Sequence, residues 1–115
     1  MTINNFIEKL KITPSEIAFQ DTMQVIESYY NFKPTKFSNG DCINEEGQNS
    51  GSCKLFSFAK LHQLTKEETL SCFGTYYTDV LASPEGKDHQ NIRNFMRVGW
   101  EGVSFDQDAL IKKQA

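Results

Sequence analysis

The residues of this chain that could do chemistry gather at one loop-to-helix junction and along one helical face. At Asn49-Ser50-Gly51-Ser52-Cys53-Lys54 a glycine-bearing approach opens a segment of helical periodicity. Such a junction exposes unpaired backbone N–H groups and the positive end of a helix dipole, and both favour an anion. Ser50, Gly51 and Ser52 would supply hydroxyls and open backbone, and Lys54 a point charge. The spacing is not that of a Walker phosphate loop, which needs four residues between its glycines and a terminal Gly-Lys-Ser/Thr. A plainer reading stands beside this one: Ser52 is an N-cap and the glycine relaxes the turn.

The helical face carries His89, Arg93 and Arg97, spaced by four and so stacked one above another. Arg93 and Arg97 are the chain's two arginines, against ten lysines. A guanidinium fork recognises carboxylate or phosphate through two parallel hydrogen bonds, which an ammonium cannot do. Surface pairing with the 15 acidic residues is the ordinary alternative. For nucleophilic catalysis, Cys53 is the candidate thiol, since a helix N-terminus stabilises thiolate, and His89 is the candidate base. His62, between Leu55 and Phe58 around its helix, reads as a core histidine. Three cysteines and two histidines in no paired spacing predict no metal site, and no cofactor is implied.

These groups need elements to position them. Ile3, Phe6, Ile7 and Leu10 predict a helix over 3–11 that stops before Pro14. Thr13-Pro14-Ser15-Glu16 reads as a capping box opening a second helix, with Phe19, Met23, Ile26 and Tyr30 on its core face. Asn39-Gly40 predicts a small hairpin with a type I′ turn, and 45–52 an irregular loop. Leu55, Phe58, Ala59 and Leu61 mark a third helix. Thr65-Lys66-Glu67-Glu68 caps a fourth, carrying Leu70, Phe73, Tyr77, Val80 and Leu81. Asp88 caps a fifth, carrying Ile92, Phe95 and Met96, which Gly99 ends. Trp100 seals the core end beside Phe105. The tail from Asp106 would add at most one turn, with 112–115 frayed.

The expected fold is therefore mainly α: one compact domain over 1–115, of about five helices, with a small β-hairpin or ordered loop near 35–44. At 115 residues the chain suits a single core, with a radius of gyration of roughly 13 Å. A net charge of −3 and a sequence pI near 5.3 exclude a basic nucleic-acid footprint. Apolar runs of a few residues exclude a membrane-spanning helix. The start Met1-Thr2-Ile3-Asn4-Asn5 has no secretory signal pattern, and the odd cysteine count points to a reducing, cytoplasmic compartment.

Several strings share one source. Phe32-x-Pro34-Thr35-x-Phe37-x-Asn39-Gly40 precedes Gly51-Ser52-Cys53-Lys54-x-Phe56-x-Phe58-Ala59. Cys72-Phe73-Gly74-x-Tyr76-Tyr77 and Asp88-His89-x-Asn91-Ile92-Arg93-x-Phe95-Met96 follow, closing on Gly99-Trp100. From about Tyr29 to Phe105 the chain resembles the HopJ type III effector family of small bacterial proteins. The resemblance implies delivery through a type III secretion system and brings no agreed catalytic residues. The expected function is a non-enzymatic interaction protein that takes an unknown protein partner or a small anionic ligand. Its candidate surface is Ser50, Gly51, Ser52 and Lys54 together with Arg93 and Arg97. The competing expectation is a small enzyme or anion-binding protein that uses Cys53.

Overall fold

The first helix begins where Thr2 accepts the Asn5 amide at 3.0 Å, and Lys9 and Lys11 complement the dipole of its last turn. In the computed structural model, which describes residues 1–113, this α1 runs Ile3–Ile12 and buries Phe6 and Leu10. Pro14 ends it, as the sequence predicts. The restart comes later than expected: Pro14–Glu16 forms a single 3₁₀ turn, and α2 spans Phe19–Tyr29. Thr13 turns its hydroxyl back onto the Lys9 carbonyl, so the N-terminal clasp falls to Asp21, whose carboxylate accepts the Ala18 amide at 3.1 Å.

The expectation of a mainly α domain of about five helices is corrected to an α+β fold, with six helices and two small antiparallel sheets among the described residues. Tyr30, assigned by periodicity to the second helix, instead opens β1 (Tyr30–Phe32). This strand pairs with β5 (Leu110–Lys112), in register Tyr30 opposite Lys112. The tail thus forms a strand rather than a helical turn, and Lys112 is held in it; the frayed end expected at 114–115 lies outside the described residues. The hairpin forms as β2 (Phe37–Asn39) and β3 (Cys42–Asn44), with β4 (Val103–Phe105) adding a third strand beside β2. Its loop residues are Gly40 and Asp41, and of the two Gly40 alone has positive φ, +63°. That is the pattern of a II′ loop, not the I′ turn read from Asn39-Gly40.

The long helical stretch expected from Thr65 to Leu81 breaks in two, α4 (Lys66–Ser71) and α5 (Thr75–Ala82). Gly74, at φ +60° and ψ −129°, makes the break. A Cβ there would lie 2.8 Å from the Phe19 amide nitrogen, so the chain doubles back against the start of α2 where a side chain would not fit. The expected capping box at Thr65 and Glu68 forms in both directions. Leu81, expected on the core stripe, is exposed because the break rotates α5 away.

α3 (Ser50–Leu61) is the centre of the core, with Leu55, Phe56, Phe58 and Ala59 all buried. Phe56 sits among Phe37, Phe73, Phe95 and Trp100, the nearest ring centroid 4.9 Å away. Losing such a ring typically costs about 3–5 kcal/mol. Trp100 closes this end and donates its indole N–H to the Leu64 carbonyl. α6 (Gln90–Val98) stops at Gly99, whose φ of +65° permits the turn. The radius of gyration, 13.4 Å, is that expected for one core of this length.

Candidate functional site

Two helices begin at the same place. The N-cap of α3 is Asn49 and that of α6 is His89, at φ +50° and +51°, both in the left-handed region. Asn tolerates this conformation because its short amide bonds locally. His89 is the less expected occupant, and Asp88, read as the cap, lies one residue earlier. Neither cap side chain bonds its own helix, and neither first turn holds an acidic residue. The first intrahelical bonds are Cys53 N–H to the Asn49 carbonyl and Arg93 N–H to the His89 carbonyl. Three amides ahead of each therefore have no partner within their helix.

Both ends open onto one cleft of about 530 Å³. α3 contributes Asn49, Gly51 and Ser52; α6 contributes His89, Gln90, Asn91 and Ile92. Phe19, Phe73 and Tyr76 form an aromatic wall, and Cys42 of β3 completes the lining. His89 lies 5.4 Å from Tyr76, ring to ring. Phe19 stands against Gly51, where an added Cβ would meet its ring edge at 3.0 Å, and it packs with Phe73 and Tyr76. Among the described residues, no carboxylate lines the cleft.

A buried asparagine cluster fixes the two helix starts relative to the hairpin. The Asn44 side-chain carbonyl accepts from the Asn91 and Asn49 amides at 2.9 and 2.6 Å. In return Asn44 donates to the Asn91 side-chain carbonyl at 3.1 Å. Asn39 donates to both the backbone and side-chain oxygens of Asn91. Asn39, Asn44 and Asn91 are all buried, so these bonds replace water rather than compete with it.

The residues singled out in the sequence divide. Gly51, Ser52 and His89 meet in the cleft. Ser50 instead faces the preceding loop, its hydroxyl 3.4 Å from the Gly47 carbonyl. Lys54 reaches toward α2 and β1, pairing with Glu27 at 3.3 Å and lying 5.0 Å from the Phe32 ring centre. Arg93 is mostly buried and fully engaged. Its fork bonds the Ser83 carbonyl at 2.8 Å, the Asp88 carbonyl at 2.6 Å and the Asp88 carboxylate at 2.7 Å. It thereby ties the end of α5 to the start of α6. That contact, with a smaller contribution from His89, holds the Asp88 carboxyl below the usual range. Arg97 is exposed and reaches Asn94 and Asp41 beside the hairpin loop.

Cys53 is the fourth residue of α3, one turn past the open amides, and it is buried with its thiol 3.9 Å from the Thr35 carbonyl. Burial raises its pKa, and contacts with Thr35 and Ser57 pull it only partly back. Cys72 is pushed up to about 12 by burial. Cys42, half-buried, is the thiol that shares the cleft with His89. His62 accepts or donates a 2.9 Å bond with the Tyr30 hydroxyl, and burial lowers its pKa. Sequence reasoning missed Phe19, Phe73, Cys42 and the asparagines as parts of a site. Asn91 lay within the string Asp88-His89-x-Asn91, where a polar residue one step before core Ile92 was the available signal. Among the described residues, no group of three or more His, Cys, Asp or Glu could hold a metal ion. No helix there is long and apolar enough to cross a membrane.

The chain belongs to the HopJ type III effector family, whose model matches residues 3–110. It is similar to a solved crystal structure of a protein of unknown function, VPA0580. The two are 50% identical over 98% of this chain and 95% of that one, with a TM-score of 0.96. No curated protein matches it.

Proposed function

We propose that this member of the HopJ type III effector family is a non-enzymatic binding protein. Its cleft between α3 and α6 takes an anionic group carried on an apolar or aromatic body. The bearer is a small anionic ligand or an acidic side chain of a protein partner. The observation that carries the reading is the convergence of two helix N-termini, neither capped by its own side chain, on a cleft that no carboxylate of the described residues lines. Each N-terminus favours a nearby anion by about 0.3–1 kcal/mol, and more when partly buried. The aromatic wall supplies contact area that selects against bare inorganic ions. A binding role is further supported by Cys53, whose thiol is buried and does not share the cleft with His89.

The test is a thermal-shift series with phosphate, phenyl phosphate and benzoate, on the wild type and on Ser52→Asp. Ser52 is the third residue of α3. An aspartate there answers the free amides itself, so the unliganded variant melts higher while ligand stabilisation disappears. At a hundred times its dissociation constant a ligand adds about 2.7 kcal/mol, which Ser52→Asp should remove. Aryl anions that shift the wild type equally in Ser52→Asp, or that shift neither, refute the cleft. Family membership also supports export from a cytoplasmic site of synthesis through a type III secretion system. A reporter fusion released equally with and without a working secretion apparatus would refute export by that route.

A further inference from the structure

A second cleft, of about 420 Å³, lies on another face of α3, where the loop joining β4 to β5 crosses it. Its size falls within the range of small-molecule sites. Ser57 lines it from α3, and Asp106 and Asp108 line it from the loop. Ser57 is 7% exposed, and beyond the weak contact with the Cys53 thiol its hydroxyl has no hydrogen-bond partner among the described residues. A serine inside a helix ordinarily returns its hydroxyl to the carbonyl four residues back. Ser57 does not, and the neighbouring Cys53 sulfur is a weak acceptor. Leaving a buried hydroxyl without a strong partner costs free energy, which a ligand atom recovers on binding. Asp106 and Asp108 form no ion pair among the described residues. The one cation of the lining, Lys60, lies 5.6 Å from the Phe105 ring centre. Leu61, with Phe105, gives the cleft an apolar side.

We infer that this cleft binds a small molecule bearing a primary ammonium on a short apolar arm. The ammonium is held by Asp106 and Asp108, and the Ser57 hydroxyl accepts one of its protons. Two carboxylates against one lysine make the lining net negative, so the charge preference is opposite to that of the α3–α6 cleft. The inference does not depend on the function proposed for that cleft.

Calorimetric titration with 3-methylbutylamine and 4-methylpentanoate, similar in shape and opposite in charge, tests it. The amine should bind the wild type in the millimolar range or tighter, about −4 kcal/mol or better, and the carboxylate should not. Asp106→Asn with Asp108→Asn should weaken the amine at least about tenfold, whereas Ser52→Asp in the other cleft should leave it unchanged. Ser57→Ala should weaken binding while the melting temperature of the free protein holds or rises, since the deleted hydroxyl has only the weak Cys53 contact to lose. A lower melting point in Ser57→Ala would mean the hydroxyl is already bonded, and the proposal falls. It falls equally if the amine does not bind, if the carboxylate binds as well, or if the double aspartate variant binds the amine undiminished.

Discussion

Gly74→Ala should be strongly damaging, and it bears directly on the proposed binding cleft. At φ +60° and ψ −129° the residue occupies a region closed to L side chains, a strain of about 1–3 kcal/mol. The new Cβ would also sit 2.8 Å from the Phe19 amide nitrogen and 3.1 Å from the Ile17 carbonyl. Both are backbone atoms, so no rotamer change relieves the clash, and overpacking of this kind adds about 1–3 kcal/mol. The central sum, about 3–4 kcal/mol, corresponds to a fall in Tm of roughly 12–16 °C at about 4 °C per kcal/mol for this length. Gly47→Ala is the matched control. Its φ is +87°, but no atom lies within 4 Å of the added methyl. The gain from restricting the unfolded chain is common to both variants and cancels in the comparison. Scanning calorimetry should show Gly74→Ala losing at least twice as much Tm as Gly47→Ala. An equal or smaller loss would refute the close-approach argument. Because the displaced backbone carries Phe19 on the cleft wall, residual folded Gly74→Ala should also lose the aryl-anion shift.

Arg93→Ala should cost about 1–2 kcal/mol by freeing the α5–α6 connection, discounted for the exposure of Asp88, and chemical denaturation should show a lower midpoint. Arg97→Ala, exposed beside Asp41, should fall within about 0.5 kcal/mol of wild type in the same titration. His62 has a pKa lowered by burial, so its neutral form is favoured on folding. Its contribution is complete above the unfolded pKa near 6.5 and is lost as pH falls through the lower folded value. Urea titrations from pH 7.5 to 5 should therefore show stability declining in the wild type and a flatter profile in His62→Gln; identical slopes would refute the assignment. Cys42 should react with iodoacetamide in the native protein while Cys53 and Cys72 stay unmodified, and phenyl phosphate should slow Cys42. Peptide mapping by mass spectrometry reads all three thiols at once, and modification of Cys53 ahead of Cys42 would reverse the ordering by burial.

The helices were legible because each carries local information: a cap, a period and a stop. Thr65 with Glu68 and the glycine after Val98 mark their ends in the sequence as they do in space. The sheets were not legible for the opposite reason. Every strand is three residues long, too short for alternation to register, and the decisive pairings join Phe37 to Phe105 and Tyr30 to Lys112. Tyr30 shows how a helical period misleads: it lies four residues after Ile26, but its amide already makes the last bond of α2 and the chain leaves extended. The junction at Gly51 and Ser52 was legible as an open helix start. The partner start at His89 was not, because residue types cannot reveal that two helices separated by forty positions begin side by side. Arg93 illustrates the same limit. Its type suits an external anion, but the nearest acceptors are the carbonyls and carboxylate of the chain's own connection.

The asparagine cluster beside the cleft is the feature that bears most on the binding role proposed for it. Open helix termini ordinarily satisfy themselves by fraying, by water or by a cap from their own N-terminal residue. Asn49 makes no side-chain cap bond to α3; its side-chain N–H donates to the Asn44 side-chain carbonyl at 2.6 Å. Asn44 is in turn locked against Asn91 by reciprocal bonds, at 3.1 and 2.9 Å, inside the second helix. Asn44 therefore links the starts of both helices, accepting from Asn49 ahead of α3 and from Asn91 in α6. A bonded buried network rigidifies its surroundings, and Asn39, Asn44 and Asn91 are buried, although Asn49 is exposed and the Asn39 side-chain oxygen has no partner among the described residues. For the anion site proposed above, this linkage would amount to preorganisation, because binding would have little backbone order left to impose at the two helix starts.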